Sequence, residues 1–432
     1  MIKFKINKIM HKILIIGLLI LLYGKAISQE NLNFAFVDST TYNYYIKKDW
    51  KNLIKLSNKA FSKNIDYYYL RMRTGIAYYN QKKFIKAIPH FIKALNFNND
   101  TIAIEYLYYS YIFSGKYFDA KLFADKQEQN IKQKLLKNNK PNNIFFDYQY
   151  TNSNNSKIHY SLQDVFSQSV ISDEKYYDFG INKMVKNNRL IYNLYFAHYS
   201  NTTNNYHYDQ VNGYINNKTN ISESELFGGF FYHINNKNNF SIYTNIIIGK
   251  SDANSFYRRQ GISRYIIPNI NFNYYYNFNI FKFRLGNNIF KLDSSLFYYP
   301  YIEASIMPLN NNKLEIFYRT EFINNIKTKS YLKKPIYVFG VKTLLFDKIA
   351  LSSNYKIVNS KNLIEENGYI IYNNNIIKDK ILVELSTYFN SHINFFIRYQ
   401  YINFEDNYIL NMHEYINNYK TQTFLGGIKW TY

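Results

Sequence analysis

The sequence of 432 residues contains no cysteine. Disulfides, zinc–thiolate sites, thiol catalysis and lipid attachment to an N-terminal cysteine are therefore excluded. Common catalytic motifs are missing too: there is no nucleophile elbow, Walker loop, HExxH motif or glycine-rich dinucleotide loop, and no two of the eight histidines are four residues apart. We predict a non-enzymatic protein with no cofactor and no metal. An enzyme whose catalytic residues are spread over several strands stays open as an alternative.

Long apolar runs are absent except near the start of the chain. The basic segment MIKFKINKIMHK is followed by the twelve-residue apolar run ILIIGLLILLYG and by KAIS, which offers small residues for cleavage. This order is typical of a secretory signal peptide, which we place at residues 1–28. Twelve residues span only about 18 Å as a helix, against roughly 30 Å for the hydrocarbon core of a bilayer. We therefore expect cleavage, with an uncleaved anchor as the alternative.

Acidic residues are scarce: 30 Asp and Glu stand against 53 Lys and Arg, which gives a net charge of +23. Such a charge can indicate nucleic-acid binding. An exported protein of this charge meets anionic lipid head groups or acidic glycans instead. We therefore predict no nucleic-acid partner.

Residues 34–135 carry a repeat with a period near 34 residues. Three sets of positions keep this spacing: Tyr44, Tyr78 and Tyr111; Trp50, Phe84 and Tyr117; and Leu53, Ala87 and Ala120. A fixed period with large aromatic and small residues predicts stacked helical hairpins, because one hairpin cannot bury its apolar face alone. We expect about three such units.

The middle unit, RTGIAYYNQKKFIKAIPHFIKALNFNND at residues 73–100, resembles the tetratricopeptide repeat (TPR). The residues that match its consensus, and that we expect to pack between helices, are Gly75, Tyr78, Ala87, Phe91 and Ala94. Stacks in that family bind a peptide or a partner protein on their concave face. The resemblance therefore implies an unknown partner protein on this face, and a short rigid spacer is the alternative.

The helical pattern ends in a polar stretch. The segment DKQEQNIKQKLLKNNK at residues 125–140 predicts a last solvated helix, and Pro141 follows it. Proline disfavours helix at its own position and at the residue before it. We place a linker at residues 136–143 and a second domain at residues 144–432. The predicted fold class is α+β multidomain, with TPR-like α-helical repeats followed by a sheet domain.

The second domain is predicted to consist of strands. Roughly 14–16 segments, many of about ten residues, alternate apolar and polar side chains between runs of Asn, Asp, Ser and Gly. In NINFNYYYNF, residues 269–278, Ile and aromatic residues occupy one face and Asn most of the other. Residues 225–248 predict two strands joined by the tight turn NNKNN.

Two folds explain such strands: a soluble sandwich with aromatic faces inside, and a closed membrane barrel with those faces towards lipid. Strands of about ten residues suit a tilted bilayer crossing, whereas strands of soluble sheets average about five or six. Lys282 and Arg284 lie in mid-strand beside apolar residues, and water in a lumen would solvate them. We therefore predict an antiparallel transmembrane β-barrel with Lys282 and Arg284 as candidate lumen residues.

The chain ends in TFLGGIKWTY, whose alternate residues are Phe424, Gly426, Ile428, Trp430 and Tyr432. An alternating strand with an aromatic last residue resembles the terminal strand of bacterial outer-membrane barrels. The resemblance implies that these five residues form the signal by which the barrel-assembly machinery recognises the chain. It also implies that outer-membrane lipid and lipopolysaccharide surround the barrel.

Signal peptide, TPR-like units and terminal barrel occur in this order in longer members of the YaiO family of outer-membrane proteins, which the chain resembles. That resemblance implies an outer-membrane barrel with a helical domain in the periplasm, and we expect this domain to dock or position a partner protein. Two alternatives stay open. One is a pore for export or uptake of a polymer, such as an exopolysaccharide, or of a solute. The other is a soluble periplasmic adaptor.

Overall fold

The computed structural model describes residues 32–136, 142–153, 166–185, 189–209, 213–253, 261–292, 295–325, 335–346, 349–364, 370–389, 392–410 and 413–431. The predicted signal peptide, most of the predicted linker and the terminal residue Tyr432 lie outside these ranges.

The N-terminal part of the described chain is a run of seven α-helices. They are α1 (Phe34–Ile46), α2 (Trp50–Phe61), α3 (Tyr68–Asn80), α4 (Phe84–Phe97), α5 (Thr101–Phe113), α6 (Tyr117–Asp125) and α7 (Gln129–Leu136). Within the described ranges, none of the helices is long and apolar enough to cross a membrane. Helices α1 to α6 pair consecutively into three hairpins.

The three hairpins share one turn geometry. One residue of each turn has a positive φ: 56° at Lys48, 58° at Lys82 and 75° at Gly115. This residue donates its N–H to the carbonyl three residues before it, and the next residue donates to the carbonyl five residues before it, at 2.8–3.0 Å. Both bonds satisfy carbonyls that are left free at the end of a helix. The spacing near 34 residues is therefore a repeat of structure as well as of sequence.

Small residues let the helices of the hairpins approach each other. Ala87 and Ala120 share one position of the repeat and are fully buried, as is the larger Leu53 at the same position of the first unit. At Gly75 an added Cβ would lie 2.6 Å from the ring of Phe91, so this position has no room for a side chain. The small positions of the repeat thus lie at the helix–helix contacts.

The second part of the described chain consists of strands. They are β1 (Asn143–Ser153), β2 (Phe166–Met184), β3 (Leu190–Asp209), β4 (Gly213–His233), β5 (Asn238–Ala253), β6 (Gly261–Phe278), β7 (Phe281–Leu292), β8 (Ser295–Ile306), β9 (Leu314–Glu321), β10 (Asn324–Asn325), β11 (Ile336–Leu345), β12 (Ile349–Ile364), β13 (Ile370–Tyr388), β14 (Ile393–Leu410) and β15 (His413–Thr431).

Fourteen of these strands close into one antiparallel barrel. Strand β1 pairs with β15, and the pairing of β8 with β9 completes the circle. The two-residue strand β10 pairs with β8 just beyond the end of β9, so it continues the same edge. A closed circle leaves no free sheet edge. The predicted antiparallel barrel is confirmed, its size is fourteen strands, and the soluble sandwich is wrong.

Many strands are longer than predicted. Strand β3 has 20 residues and β4 has 21, and their pairing continues through Asn204 and Lys218 in polar segments. The expectation of about ten residues is wrong for these strands. Their Asn- and Thr-rich ends look like turns by composition, but the backbone hydrogen-bond ladder to the neighbouring strand holds them extended.

The alternation of NINFNYYYNF decides which face of β6 meets lipid. The side chains of Asn269, Asn271 and Asn273 are 4–5% exposed inside the barrel, whereas Phe272 and Tyr274 are 41% exposed on its outer surface. The aromatic face therefore points outward and the amide face inward. This is the arrangement predicted for a membrane barrel.

The barrel wall bends sharply where its first and last strands meet. Strands β14 and β2 are three places apart, which is about 14 Å on a flat sheet, yet some of their Cα atoms lie within 8 Å of each other. Gly427 of β15 lies at this bend, and an added Cβ there would collide with Asp147 Oδ1 and the ring of Phe396. The missing side chain permits the close approach.

The helical part joins the barrel at the end where β1 begins and β15 ends, which we call the turn end. Asn143 pairs there with Thr431. The β4–β5, β6–β7 and β8–β9 turns lie at the same end. The hairpin predicted at residues 225–248 is confirmed, with β4 ending at His233 and β5 beginning at Asn238.

Candidate functional site

The interior of the barrel contains a polar core. On β6 and β7 the amides of Asn271, Asn273 and Asn288 point inward, and each is 4% exposed. Asn273 donates to Ser241 at 3.0 Å and accepts from Arg284 Nε at 3.1 Å, and Asn271 donates to Asn288. Buried amides are stable when their hydrogen bonds are satisfied, and here the partners come from neighbouring strands. The inner wall is thus bonded like a protein interior.

Arg319 of β9 joins a buried group of charges. Its Nε lies 2.7 Å from Glu303 Oε2, and its Nη1 lies 3.3 Å from Glu321 Oε1. Tyr299 donates its hydroxyl to Glu321 at 2.7 Å. A buried charge without a partner costs several kcal/mol, roughly 3–5 when one member of a pair is removed. These four side chains therefore act as one unit that ties β8 to β9.

The two predicted lumen residues point into the barrel and are held by the wall. Lys282 Nζ lies 2.6 Å from Glu315 Oε2. The guanidinium of Arg284 lies 5.2 Å from the ring centroids of both Tyr275 and Tyr301. Both charges are thus engaged by side chains of neighbouring strands.

Carboxylates gather on one side of the interior. Asp147 of β1 and Asp178 of β2 are directly opposite in register, and Glu225 of β4 lies in the same cross-strand row. Tyr176 donates its hydroxyl to Asp178 at 2.9 Å. No group of three or more His, Asp or Glu in the described chain is arranged to hold a metal ion. The rest of the wall carries the inward-facing cations Arg284, Arg319, Lys356, Lys380 and Arg398, and carboxylates pair with some of them, as Glu384 does with Arg398.

An apolar cluster fills the barrel further from the turn end. Its members come from ten strands, β5 to β9 and β11 to β15, and each is at most 5% exposed; they include Ile247, Ile267, Phe290, Tyr299, Val338, Val358, Ile377, Phe404 and Tyr419. Phe404 stacks on Tyr419, and Phe290 on Phe297, each at 4.9 Å. At this level of the described barrel, the inward-facing side chains of ten neighbouring strands therefore pack against one another.

The β8–β9 turn, residues 307–313, is the first contact between the barrel and the helical domain. Asn311 donates its side-chain amide to the Lys82 carbonyl at 2.7 Å, and Asn312 donates its N–H to the Phe113 carbonyl at 3.3 Å. Lys82 and Phe113 lie at the turns of the second and third hairpins. The barrel turn therefore sits between two adjacent hairpin tips.

The start of α6 makes the second contact with the barrel. Phe118 stacks on Phe231 at 5.4 Å and on His233 at 5.1 Å. Asp119 Oδ1 lies 3.3 Å from His233 Nε2. Sequence reasoning missed all of these contact residues: His233 reads only as a strand residue two positions before the NNKNN turn, and the NNN run at residues 310–312 reads as an ordinary turn.

The predicted assembly residues lie on the outer face of β15. Phe424 is 54% and Trp430 50% exposed, and Gly426 and Ile428 lie on the same outer face. Tyr432 lies outside the described residues. Strand β15 pairs with both β1 and β14, so the last strand closes the barrel.

The five predicted packing residues of the helical domain lie on α3 and α4. The buried members are Gly75, Ala87, Phe91 and Ala94. Tyr78 is half-buried, and its ring stacks on His90 at 5.5 Å. The sequence match thus marks the contact between the two helices of the middle hairpin.

His90 lies between aromatic rings and beside a cation. Its ring contacts Phe61 at 5.6 Å, and its Nδ1 lies 3.2 Å from Nη1 of Arg71, which is paired with Asp66. Burial and, after it, the Arg71 charge lower the pKa of His90 to about 4. At neutral pH the ring is uncharged, and Nδ1 accepts a hydrogen bond from Arg71.

Comparison with known proteins yields distant structural neighbours. No protein-family model matches the chain, and no curated protein sequence matches it. The toluene transporter TodX of P. putida is 5% identical, with a TM-score of 0.42 over 68% of this chain and 90% of that one. A FadL homologue of Pseudomonas aeruginosa is 8% identical, with a TM-score of 0.39 over 67% and 90%. A bacterial polysaccharide outer membrane secretin is 7% identical, with a TM-score of 0.34 over 67% and 98%. Likenesses this remote say nothing about activity.

The architecture itself defines the class. A closed antiparallel barrel with an aromatic, apolar outer face and a polar inner face satisfies every backbone group within lipid. This chain is an outer-membrane β-barrel protein with an N-terminal helical region.

Proposed function

We propose that this protein is a non-enzymatic anchor in the outer membrane that holds a helical docking domain in the periplasm. The observation that carries the proposal is the filled interior of the barrel. Polar side chains that line a water-filled lumen are solvated, whereas Asn273 and Arg319 are 4% exposed and bonded to neighbouring strands. An interior of this kind supports an anchor better than a conduit.

The seating of the helical domain supports a positioning role. Asn311 and Asn312 hold two hairpin tips, and Asp119 and Phe118 hold α6 against β4. Contacts at two separate places fix a direction as well as a position. A partner bound to the hairpins would therefore meet the membrane in one orientation.

The exposed face of the hairpins suits a protein partner. Helices α1, α3 and α5 present Tyr42, Tyr69 and Tyr109, which are 39–63% exposed. The guanidinium of Arg73 lies 5.3 Å from the Tyr42 ring and 5.8 Å from the Tyr69 ring. Tyr side chains are enriched in protein interfaces, and Arg73, which is 12% exposed and paired with Asp38, lies beside these rings. Together with the resemblance of residues 73–100 to the TPR, this favours a TPR domain that binds a periplasmic protein.

The remaining parts of the proposal follow from the order of the domains. Signal peptide, helical hairpins and barrel support a YaiO-like protein, with lipopolysaccharide and outer-membrane lipid around the aromatic belt. The outward Phe424 and Trp430 of the terminal strand support recognition by the barrel-assembly machinery.

Two measurements test the proposed anchor function: heat modifiability tests for a folded barrel, and conductance tests whether its interior is closed. The protein extracted from the outer-membrane fraction should migrate differently on a gel before and after boiling, as a closed barrel does. The same preparation should give no steady ion current in a planar bilayer. A steady current would overturn the closed interior, and a protein that salt releases from the membrane would overturn the barrel anchor.

A pore for a polymer or a solute is the second candidate. The charged side chains that face the interior favour it, because charged linings select ions and charged solutes. In that case Lys282→Glu and Arg284→Glu should change the size or ion selectivity of a measured current. If neither substitution changes the current, the ions do not pass these two residues on their way through the barrel.

A further inference from the structure

The outer face of the barrel has a groove of about 520 Å³ across β8, β9, β11 and β12. Its lining includes three of the smaller outward side chains of the barrel, Ala304 of β8, Val341 of β11 and Ser353 of β12. Elsewhere the outward positions carry mainly large apolar residues. The groove is therefore a local depression in the ring of large apolar side chains that faces lipid.

A row of aromatic rings forms the wall of the groove. Tyr318, Phe339 and Tyr355 occupy paired positions on consecutive strands and are 40–49% exposed. The rings of Tyr318 and Phe339 lie 5.0 Å apart, and the Tyr318 hydroxyl accepts a hydrogen bond from Thr320 at 3.0 Å. No charged side chain lines the groove. The lining offers dispersion contacts along one side and no site for an ion.

The geometry points to an acyl chain of a phospholipid as the occupant. The lining residues face outward from a closed barrel, so the molecules that reach them are those of the bilayer. An unfilled apolar depression forfeits dispersion contacts along its walls. The groove spans two adjacent cross-strand rows: Ala304 lies in the row of the aromatic rings, and Val341 and Ser353 lie in the next row. A depression two rows wide suits a single acyl chain better than a second barrel with its own large outward side chains.

The groove also determines which leaflet supplies the lipid. It reaches the turn end through Phe281, the first residue of β7, and Ile306, the last residue of β8. The helical domain lies at this end, so a phospholipid whose acyl chain enters the groove here belongs to the leaflet on the side of that domain. This assignment rests on the proposed anchor function, which places the helical domain in the periplasm.

The same position gives the lipid a structural role. Directly beyond Ile306 comes the turn of residues 307–313, whose Asn311 and Asn312 hold the helical domain. An acyl chain packed against β8 and β9 supports the strands that carry this turn. The bound phospholipid thus stabilises the joint between barrel and helical domain.

The test is the phospholipid that stays with the protein through purification in mild detergent. Ala304→Phe and Ser353→Phe fill the groove, and Thr244→Phe adds the same bulk at an exposed outward position on β5 that does not line it. We expect about one phospholipid per chain, by lipid extraction and mass spectrometry, in the natural protein and in Thr244→Phe. Both groove variants should lose it. Equal amounts of bound phospholipid in all four proteins would overturn the site. A dimer of the natural protein that is lost in the groove variants would also overturn it, because a second barrel would then occupy the groove.

A second measurement covers variants that assemble poorly. In a background of Trp50→Phe and Trp430→Phe, which removes the two native tryptophans, Phe339→Trp places a single fluorophore in the wall without filling the groove. In vesicles with a small fraction of brominated-chain phospholipid, its emission should be quenched at a lower fraction than that of Phe395→Trp, an outward position on β14. Equal quenching of the two overturns the site. Loss of heat modifiability in the natural protein would instead mark the failure of the barrel anchor, independently of the groove.

Discussion

Asp119 of the helical domain and His233 of the barrel lie 3.3 Å apart, and the side chain of each is 5% exposed. Neither Asp119 Oδ1 nor His233 Nε2 makes a hydrogen bond in the described chain, either to the other or elsewhere. At 3.3 Å these two buried atoms therefore interact electrostatically rather than through a hydrogen bond. The pair lies beside the stacked ring of Phe118, which excludes water from the contact.

We predict that Asp119 and His233 are energetically coupled. Asp119→Ala and His233→Ala should each lower the stability of the helical domain by about 1–3 kcal/mol, because each leaves the other polar group buried without this electrostatic contact. The double variant should lose less than the sum of the two. Thermal unfolding of the full chain, followed by the helical circular dichroism signal in detergent, measures this. Strictly additive losses would contradict the coupling of Asp119 and His233. Lys132→Ala, which breaks a more exposed pair with Asp125, serves as the control.

Two adjacent glycines of β15 should behave differently. An alanine Cβ at Gly427 would collide with Asp147 Oδ1 and the Phe396 ring, whereas at Gly426 the nearest atom is Phe396 O at 4.0 Å. Gly427→Ala should cost about 1–3 kcal/mol or more through overpacking, and Gly426→Ala should be nearly neutral. The two variants are compared by the heating temperature at which the gel band of the folded barrel disappears. Equal behaviour of the two variants would show that the bend does not depend on the missing side chain.

The parts of the fold that the sequence predicted are those set by local periodicity. The outward face of β6 follows from alternation alone, because neighbouring side chains of a strand point to opposite faces. The hairpins follow from the spacing of Tyr44, Tyr78 and Tyr111, since each of these residues accepts the second hydrogen bond of its turn. Such features depend on residues close together in the chain.

The parts that the sequence did not predict depend on distant contacts. Asn204 reads as a turn residue until its ladder partner on β4 is known. His233 gains its role only from Asp119, more than a hundred residues earlier. Gly427 is recognisable as a small residue, but the strands that approach across it follow from closure of the barrel. Composition and period carry no information about such pairings.

Arg319 should be indispensable to the folded barrel. Arg319→Ala leaves the carboxylates of Glu303 and Glu321 buried without their cation, at a cost of about 3–5 kcal/mol. Arg319→Lys should restore stability only in part, because an ammonium cannot contact both carboxylates with the forked geometry of a guanidinium. Lys175→Ala, which breaks an exposed pair with Asp173, should cost less than about 1 kcal/mol. The midpoint of guanidinium unfolding in detergent ranks the stability of the three variants. If the Arg319→Ala barrel were as stable as Lys175→Ala, the buried charge group around Arg319 would not stabilise the barrel.

The helical domain should lose stability as the pH falls from about 6.5 to about 4. His90 keeps a pKa of about 4 in the folded chain against 6.5 for the free side chain, so only the unfolded state binds a proton in this window. Stability contributed by the neutral ring is complete above the upper limit and declines below it, by up to about 3 kcal/mol. Urea unfolding of the full chain at several pH values measures the slope. His90→Gln should flatten it, and carboxyl titrations common to both proteins cancel in the comparison; an identical slope in the variant would contradict this assignment.

Removal of residues 430–432 should abolish assembly of the barrel. Trp430 pairs with Ile144 of β1 and Ile393 of β14, so the deletion shortens the strand that closes the circle on both of its edges. It also removes the outward aromatic side chain that the assembly machinery is proposed to recognise. We expect the truncated chain to be absent from the heat-modifiable outer-membrane fraction and to be degraded. Trp430→Phe keeps an aromatic side chain and the full strand, and should assemble; normal assembly of the truncated chain would show that the terminal residues are not the signal.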